Sequence, residues 1–155
     1  CHQLSGMNID IMLEVKDKNL SALKCINCTN EMGIVALETE WAHYKYCVLE
    51  RYPEGYKEIR QLLRSKSSYP ALKMYRIIEA SFDLPVLSGN GVNAAKHVWG
   101  YFKDKTFGAE KRHFHTLLQK FSAGETGIQP VKNYLLRLAE KYQEDYLLNG
   151  YYFYK

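Results

Sequence analysis

Residues 93–103 hold more side chains able to do chemistry than a surface helix requires. Read as a helix, this segment places Asn93, His97 and Gly100 on one face, because they follow one another at intervals of four and three residues. His97 is a candidate general acid or base, with Asn93 or Tyr101 beside it. A glycine within a helix costs about 1 kcal/mol relative to alanine, so we expect another backbone or a ligand to approach this face. The alternative is a crossing of two helices around a core histidine.

Two lysines interrupt apolar stripes on other predicted helices. Lys45 lies between Trp41 and Leu49, and Lys111 shows the same pattern between two phenylalanines. An ammonium group on an apolar stripe must reach the surface, pair with a carboxylate or face a ligand. Together with His97 on a third helix, the two lysines are candidates for holding an anion inside the bundle. The alternative is that their stems extend to the surface or pair with nearby glutamates.

Signatures of established catalytic and metal sites are missing from the sequence. It contains no glycine-rich phosphate loop, zinc-protease motif or EF-hand loop. Of the four cysteines, only Cys25 and Cys28 have the spacing of a metal or redox pair, and no second pair completes a four-ligand zinc site. We therefore expect these two cysteines to be reduced and metal-free, and we expect no cofactor.

The basic charge of the chain is concentrated in its middle. The whole sequence carries a formal net charge of +4, with +5 in residues 51–76, +4 in residues 96–120 and −3 in residues 1–50. If the two basic segments meet on one face, they favour a phosphate-bearing partner such as a nucleotide or nucleic acid. The alternative is that both segments are ordinary solvated helix faces.

A series of helical patterns from residue 38 onward must position these side chains. Apolar residues recur at helical spacing in successive segments, and prolines or glycines separate the segments. They predict a single all-α domain, a bundle of about six helices over residues 38–155. Within it, residues 92–104 are expected to form a helix that buries His97 beside the helix of Lys45. The apolar tail that starts at Tyr146 is expected to pack back onto the bundle.

Residues 1–37 form an N-terminal extension in this interpretation, with a strand and a short helix over residues 19–24 that Asn19 caps. Residues 9–15 alternate between apolar and polar side chains, which predicts a strand. Its partner is either the run 34–36 or the same strand of a second subunit, so the sequence allows a homodimer through this strand. No apolar run is long enough to span a membrane and no secretory leader is recognised, so we expect a cytoplasmic protein without a membrane partner.

Many of these residues, in their order and spacing, resemble the bacterial YbgA-type domain of unknown function. The matching residues are Trp41, Tyr44, Lys45, Tyr46, Tyr56, Ile59, Asn93, His97, Gly100, Tyr101, Phe102, Lys103, Glu110, Lys111, Pro130, Tyr146, Leu147, Asn149, Tyr151 and Tyr152. The resemblance covers about residues 38–153. The chain departs from its relatives at Tyr44, where many have histidine, and at Asn149, where they often have glutamine.

The YbgA-type domain occurs alone or after a desulfidase-type domain that acts on thiolated pyrimidines such as thiouracil. Some members are encoded near a DNA photolyase. The resemblance therefore implies an association with nucleobases, nucleotides or nucleic acid. It implies no desulfidase chemistry, because the matching residues cover only the YbgA-type part.

Two functions of different classes are consistent with these patterns. The first is a binding or accessory module for an anionic ligand, either a nucleotide or nucleic acid. The alternative is a small enzyme that uses His97 as acid/base while Lys45 and Lys111 hold an anionic substrate. The absence of paired carboxylates and metal ligands favours binding, and the sequence leaves open whether the protein is an enzyme. The candidate ligand-binding residues are Trp41, Tyr44, Lys45, Asn93, His97, Tyr101 and Lys111.

Overall fold

The computed structural model describes residues 18–29, 33–65 and 68–155, which form eight α-helices and no strand. The helices are α1 (Lys18–Thr29), α2 (Ile34–Arg51), α3 (Pro53–Arg64), α4 (Ala71–Phe82), α5 (Ser88–Trp99), α6 (Gly108–Ser122), α7 (Gln129–Lys141) and α8 (Asp145–Leu148). The prediction of an all-α fold is confirmed. The helices beyond the bundle of six are α1, which includes the short helix predicted over residues 19–24, and the four-residue α8 in the tail.

Helix α2 lies between the two hydrophobic clusters of the core. Its Val48 belongs to the cluster formed with α3 and α4, and its Leu49 belongs to the cluster formed with α5, α6 and α7. Consecutive residues of an α-helix point about 100° apart, so one helix can contribute to both clusters. Side chains on the remaining arc of α2 are left for the surface, and Lys45 is among them.

A close turn sets α3 against α2. Only Tyr52 separates the two helices, and Pro53 begins α3 at a position where no backbone donor is needed. Gly55 is buried, and a Cβ there would lie 2.3 Å from the Tyr52 ring and 2.7 Å from Ile77. The missing side chain therefore lets the first turn of α3 approach its neighbours, which brings the rest of α3 alongside α2.

The helix predicted over residues 92–104 differs at both ends. Helix α5 begins at Ser88 and ends at Trp99, and turns follow over residues 100–105. The glycine that permits a close approach is Gly91, where a Cβ would lie 2.8 Å from the Phe121 ring. Gly100 is exposed and faces no neighbouring element. The expectation that another backbone approaches Gly100 is therefore wrong.

The expected N-terminal strand, residues 9–15, lies outside the described residues. The run 34–36, proposed as its partner within the chain, forms the first turn of α2, so that pairing is wrong. Its apolar residues lead directly into the helical spacing of Leu37 and Trp41, both buried, and burial of that stripe decides the local structure.

The C-terminal tail packs against α2, as predicted from its apolar composition. The backbone amide of Tyr151 donates to the carbonyl oxygen of His43 at 2.9 Å, and Tyr152 and Phe153 are buried in the core. This packing also places the short helix α8 beside the exposed arc of α2. No helix within the described ranges is long and apolar enough to cross a membrane.

Candidate functional site

A groove opens where α2, α3 and α8 meet at the protein surface. Its volume is about 640 Å³. The residues that line it are Glu38, Trp41, Ala42, Lys45, Tyr56, Arg60, Leu63, Arg64 and Tyr146. We call it the basic–aromatic groove, because three cations and three aromatic rings dominate its lining.

Helix α2 contributes one cation, Lys45, to the lining of the groove. Lys45 follows Trp41 by four residues, so the two side chains lie on one face of the helix. Its Nζ atom lies 4.5 Å from the ring centroid of Tyr46 and 4.6 Å from that of Tyr146. These π-faces hold the ammonium group at the groove without neutralising its charge.

Helix α3 supplies the opposite wall. Tyr56, Arg60 and Arg64 recur every four residues and therefore share one face. The guanidinium carbon of Arg60 lies 5.7 Å from the Tyr56 ring centroid, and that ring lies 5.6 Å from the Trp41 ring. An aromatic surface thus continues from α2 to α3, with guanidinium groups beside it.

Tyr146 of α8 closes the groove on its third side. Its ring stacks on that of Tyr101, with centroids 5.8 Å apart, and 42% of the residue remains exposed. The hydroxyl groups of Tyr101 and Tyr46 are hydrogen-bonded at 3.1 Å. Burial raises the pKa of Tyr146, and burial together with this hydrogen bond raises that of Tyr46. Both phenols therefore stay protonated at neutral pH and add no negative charge.

The charge of the groove is positive. Lys45, Arg60 and Arg64 line it against one carboxylate, that of Glu38. Among the residues that the structure describes, the ion pairs formed do not include any of these three cations. The groove therefore offers positive charge beside flat rings, a combination suited to an anion that carries an aromatic group.

The structure brings together only part of the residue set expected from the sequence. Trp41 and Lys45 line the groove, and Tyr101 supports it from behind Tyr146. Tyr44 lies on another side of α2, buried between the rings of Phe82 and Tyr151. Burial is also the main reason that the pKa of Tyr44 is raised. Its surroundings are those of a core tyrosine.

The other three expected residues lie elsewhere. Asn93 and His97 are exposed on α5, and Lys111 is exposed on α6; none of them lines the groove. The expectation that His97 is buried beside the helix of Lys45 is wrong. The face of α5 that packs against the core carries Ala94, Ala95 and Val98, and so Asn93 and His97 point away from it.

Four groove residues went unrecognised as site residues in the sequence. Arg60 and Arg64 were assigned only to a basic segment that would meet a polyanion, and Tyr56 and Tyr146 only to apolar positions that resemble the YbgA-type domain. The spacing of Tyr56, Arg60 and Arg64 was an available signal, because it places a ring and two guanidinium groups on one helix face. The second basic segment, residues 96–120, contributes nothing to the groove lining.

Cys25 and Cys28 lie within α1, one helical turn apart and both partly exposed. Burial is the main cause that raises the pKa of Cys28, which disfavours its thiolate form. Within the described ranges, no group of three or more His, Cys, Asp or Glu side chains is arranged to hold a metal ion.

A known protein family matches most of this chain. A model described as a protein of unknown function, DUF1722, matches residues 45–155. The chain belongs to the DUF1722 family. The match confirms the YbgA-type resemblance, and it includes Lys45, Arg60, Arg64 and Tyr146 of the groove. The description of the family states no function, so it gives no role to the groove.

One curated relative of the DUF1722 domain is a UV DNA damage endonuclease of Clostridium perfringens (strain 13 / Type A). It is 28% identical to this chain over 147 residues, which are 90% of this chain but 32% of that protein. The chain therefore spans about one third of the relative's length. No solved structure matches the chain.

Proposed function

We propose that the DUF1722 domain binds a nucleotide unit, a base with its phosphate, in the basic–aromatic groove. The observation that carries the proposal is the arrangement of Lys45, Arg60 and Arg64. They share one groove with three aromatic rings, and none of them enters an ion pair among the described residues. Their charges are therefore not neutralised by a carboxylate among the described residues and remain available to an anion.

The two kinds of side chain match the two parts of a nucleotide. Arginine presents a planar fork of donors that fits phosphate oxygens, and lysine adds a point charge. A base can stack on an exposed aromatic ring, and each such contact contributes about 1–3 kcal/mol. Trp41, Tyr56 and Tyr146 provide rings within the same groove. The groove supports binding better than catalysis, because no acid/base pair lines it.

The similarity to the UV DNA damage endonuclease is a second argument for nucleotide binding, independent of the groove's geometry. The relative's name connects that protein with damaged DNA, and this chain aligns with about one third of it. A nucleotide-binding domain within such a protein would help it engage its nucleic acid. The proposal therefore describes a binding or accessory module and assigns no endonuclease activity to this chain.

Fluorescence titration provides the test. The two tryptophans are Trp41, in the groove, and Trp99, which is buried and stacks on Phe114 at 4.2 Å. In a Trp99→Phe variant shown to be folded, Trp41 is the only indole reporter. Thymidine 5′-monophosphate should quench its emission, whereas thymidine and ribose 5-phosphate, which each supply half of the contacts, should bind more weakly. If nucleotide monophosphates of all four bases fail to bind the folded protein, the proposal is overturned.

A further inference from the structure

A second, smaller pocket adjoins the basic–aromatic groove. Its volume is about 340 Å³, and Thr39, Ala42, His43, Tyr146 and Asn149 line it. Ala42 and Tyr146 also line the groove, so the two concavities share a wall. We call the smaller one the His43 pocket.

Helical geometry explains why the two sites lie side by side. Thr39 and His43 each follow a groove-lining residue of α2 by one position, and one residue turns the helix by about 100°. Tyr146 stands between the sites, and the only α2 side chain common to both is the methyl group of Ala42. A ligand that leaves the groove over this small residue therefore enters the His43 pocket.

The chemistry of the His43 pocket differs from that of the groove. Its polar side chains are a hydroxyl, an imidazole and an amide, and no carboxylate lines it. Glu40, one helical turn before His43, is buried and does not line the pocket, although it interacts electrostatically with His43. The Thr39 hydroxyl donates to the Val35 carbonyl oxygen, which leaves the His43 imidazole and the Asn149 amide to donate to phosphate oxygens or to the polar edges of bases.

The imidazole is held in place from the protein side. The ring of His43 packs against that of Tyr151 with centroids 5.4 Å apart, and the backbone amide of Tyr151 donates to the His43 carbonyl oxygen. Asn149 is the C-cap of α8, so the amide of the pocket directly follows the short helix that carries Tyr146, the shared wall. The pocket is thus built from two fixed elements.

From this placement we infer that the ligand is a single nucleic-acid strand that crosses Tyr146, with one nucleotide in the groove and the next in the His43 pocket. The inference rests on the proposed nucleotide binding in the groove and specifies its substrate class as a strand of at least two nucleotides. The groove supplies charge and stacking, and the His43 pocket supplies uncharged contacts together with the Tyr146 ring that borders both sites. Single strands are commonly bound by such alternation of charged and stacking groups.

The experiment compares thymidine 5′-monophosphate with the 5′-phosphorylated dithymidine dinucleotide, using Trp41 fluorescence as before. The dinucleotide should bind at least about fivefold more tightly, the lower limit of what one further stacked base contributes. Thymidine 3′,5′-bisphosphate serves as a third ligand, because it adds a phosphate without a second base. It should recover less of the gain than the dinucleotide does.

Substitutions in the His43 pocket test whether that pocket causes the tighter binding of the dinucleotide. Asn149→Ala and His43→Gln should reduce the dinucleotide's advantage and leave binding of the monophosphate unchanged. His97→Ala, which removes an exposed histidine of α5, should change neither. Asn149 is exposed, so its variant tests the pocket even if His43→Gln fails to fold.

Two failures are distinguishable. If the monophosphate and the dinucleotide bind equally, or if the advantage survives both substitutions, the second subsite is wrong while the groove proposal stands. If the bisphosphate matches the dinucleotide in full, the pocket holds a phosphate alone and the inferred strand is also wrong. If neither ligand binds, the groove proposal itself has failed.

Discussion

Two lysines of this domain lie over tyrosine rings at the same distance, and they do so in opposite surroundings. Lys132 Nζ lies 4.6 Å from the Tyr152 ring centroid, and Lys45 Nζ lies 4.6 Å from that of Tyr146. Lys132 also lies 2.8 Å from the carboxylate of Glu50. The side chains of that pair are only 4% and 0% exposed. Lys45 has no such partner among the described residues and borders an open groove.

The two lysines differ because a carboxylate, that of Glu50, pairs with Lys132 and none pairs with Lys45 among the described residues. Burial raises the pKa of Glu50, and the charge and hydrogen bond of Lys132 oppose that effect, so each group favours the charged form of the other. Cys47, buried nearby, has its pKa raised to about 12 and behaves as a packed apolar side chain. Lys132 therefore has its counter-charge inside the protein, on one oxygen of Glu50, whereas the charge of Lys45 is available to a ligand.

Breaking the buried pair of Lys132 and Glu50 should give the largest loss of stability. Lys132→Met leaves Glu50 as a buried charge with only Arg51, 3.7 Å away, as a cationic neighbour among the described residues, which should lower the free energy of unfolding by up to about 3–5 kcal/mol. Lys45→Met, at a half-buried lysine of the groove, should cost much less stability. Urea denaturation of both variants measures the difference. Equal losses would contradict the comparison, and Glu50→Leu added to Lys132→Met should restore part of the stability.

Removing one stacking surface should weaken nucleotide binding without such a loss of stability. Tyr146→Ala should reduce affinity by about 1–3 kcal/mol, the contribution of one aromatic contact to a base. Tyr154→Ala is the matched control, because Tyr154 is 64% exposed and lies outside the groove. Isothermal titration with a single-stranded oligonucleotide compares the two variants. Similar losses in both would remove Tyr146 from the site.

The arginines of the groove should determine the salt dependence. If Arg60 and Arg64 each neutralise one phosphate of a bound strand, each alanine substitution should lower the slope of log K against log salt by about one. Arg137, exposed on α7, provides the control. Fluorescence anisotropy at several salt concentrations measures the slope. An unchanged slope in both groove variants would mean that the strand's phosphates lie elsewhere.

A surface ion pair extends the comparison to a smaller effect. Hydrogen bonds from Lys141 and from the backbone of Phe107, followed by that from Tyr142, lower the pKa of Glu110. A lowered folded pKa gives stability that is present above the unfolded value and is lost as pH falls through the folded value. Glu110→Gln should therefore lower the melting temperature slightly at pH 7, and this difference should vanish in acid. A difference that persists at low pH would contradict the assignment.

The smallest effects are expected for residues that the sequence favoured. His97→Ala and Lys111→Ala should leave oligonucleotide affinity unchanged, because both side chains are exposed and lie outside the groove lining. The same titrations test this. A loss of affinity in either variant comparable to that of Tyr146→Ala would revive the enzyme-like arrangement of His97, Lys45 and Lys111.

The sequence by itself determined the class of fold, most of the helices and the packing of the tail. These depend on apolar periodicity and on prolines and glycines, which are local properties of the chain. It also singled out Trp41 and Lys45, which both line the groove, since a lysine four residues after a tryptophan places charge and ring on one helix face whatever surrounds them.

Only the tertiary structure decided which faces meet. His97 has the spacing of a site residue. However, the side of α5 that packs against the core carries Ala94, Ala95 and Val98, so His97 lies on the exposed side. Arg60 of α3 and Tyr146 of α8 lie 86 positions apart in the sequence, and no local pattern connects them. The close turn at Gly55 and the return of the tail onto α2 bring them to one groove. Such long-range juxtaposition depends on how helices pack, which the periodicity of a single helix does not specify.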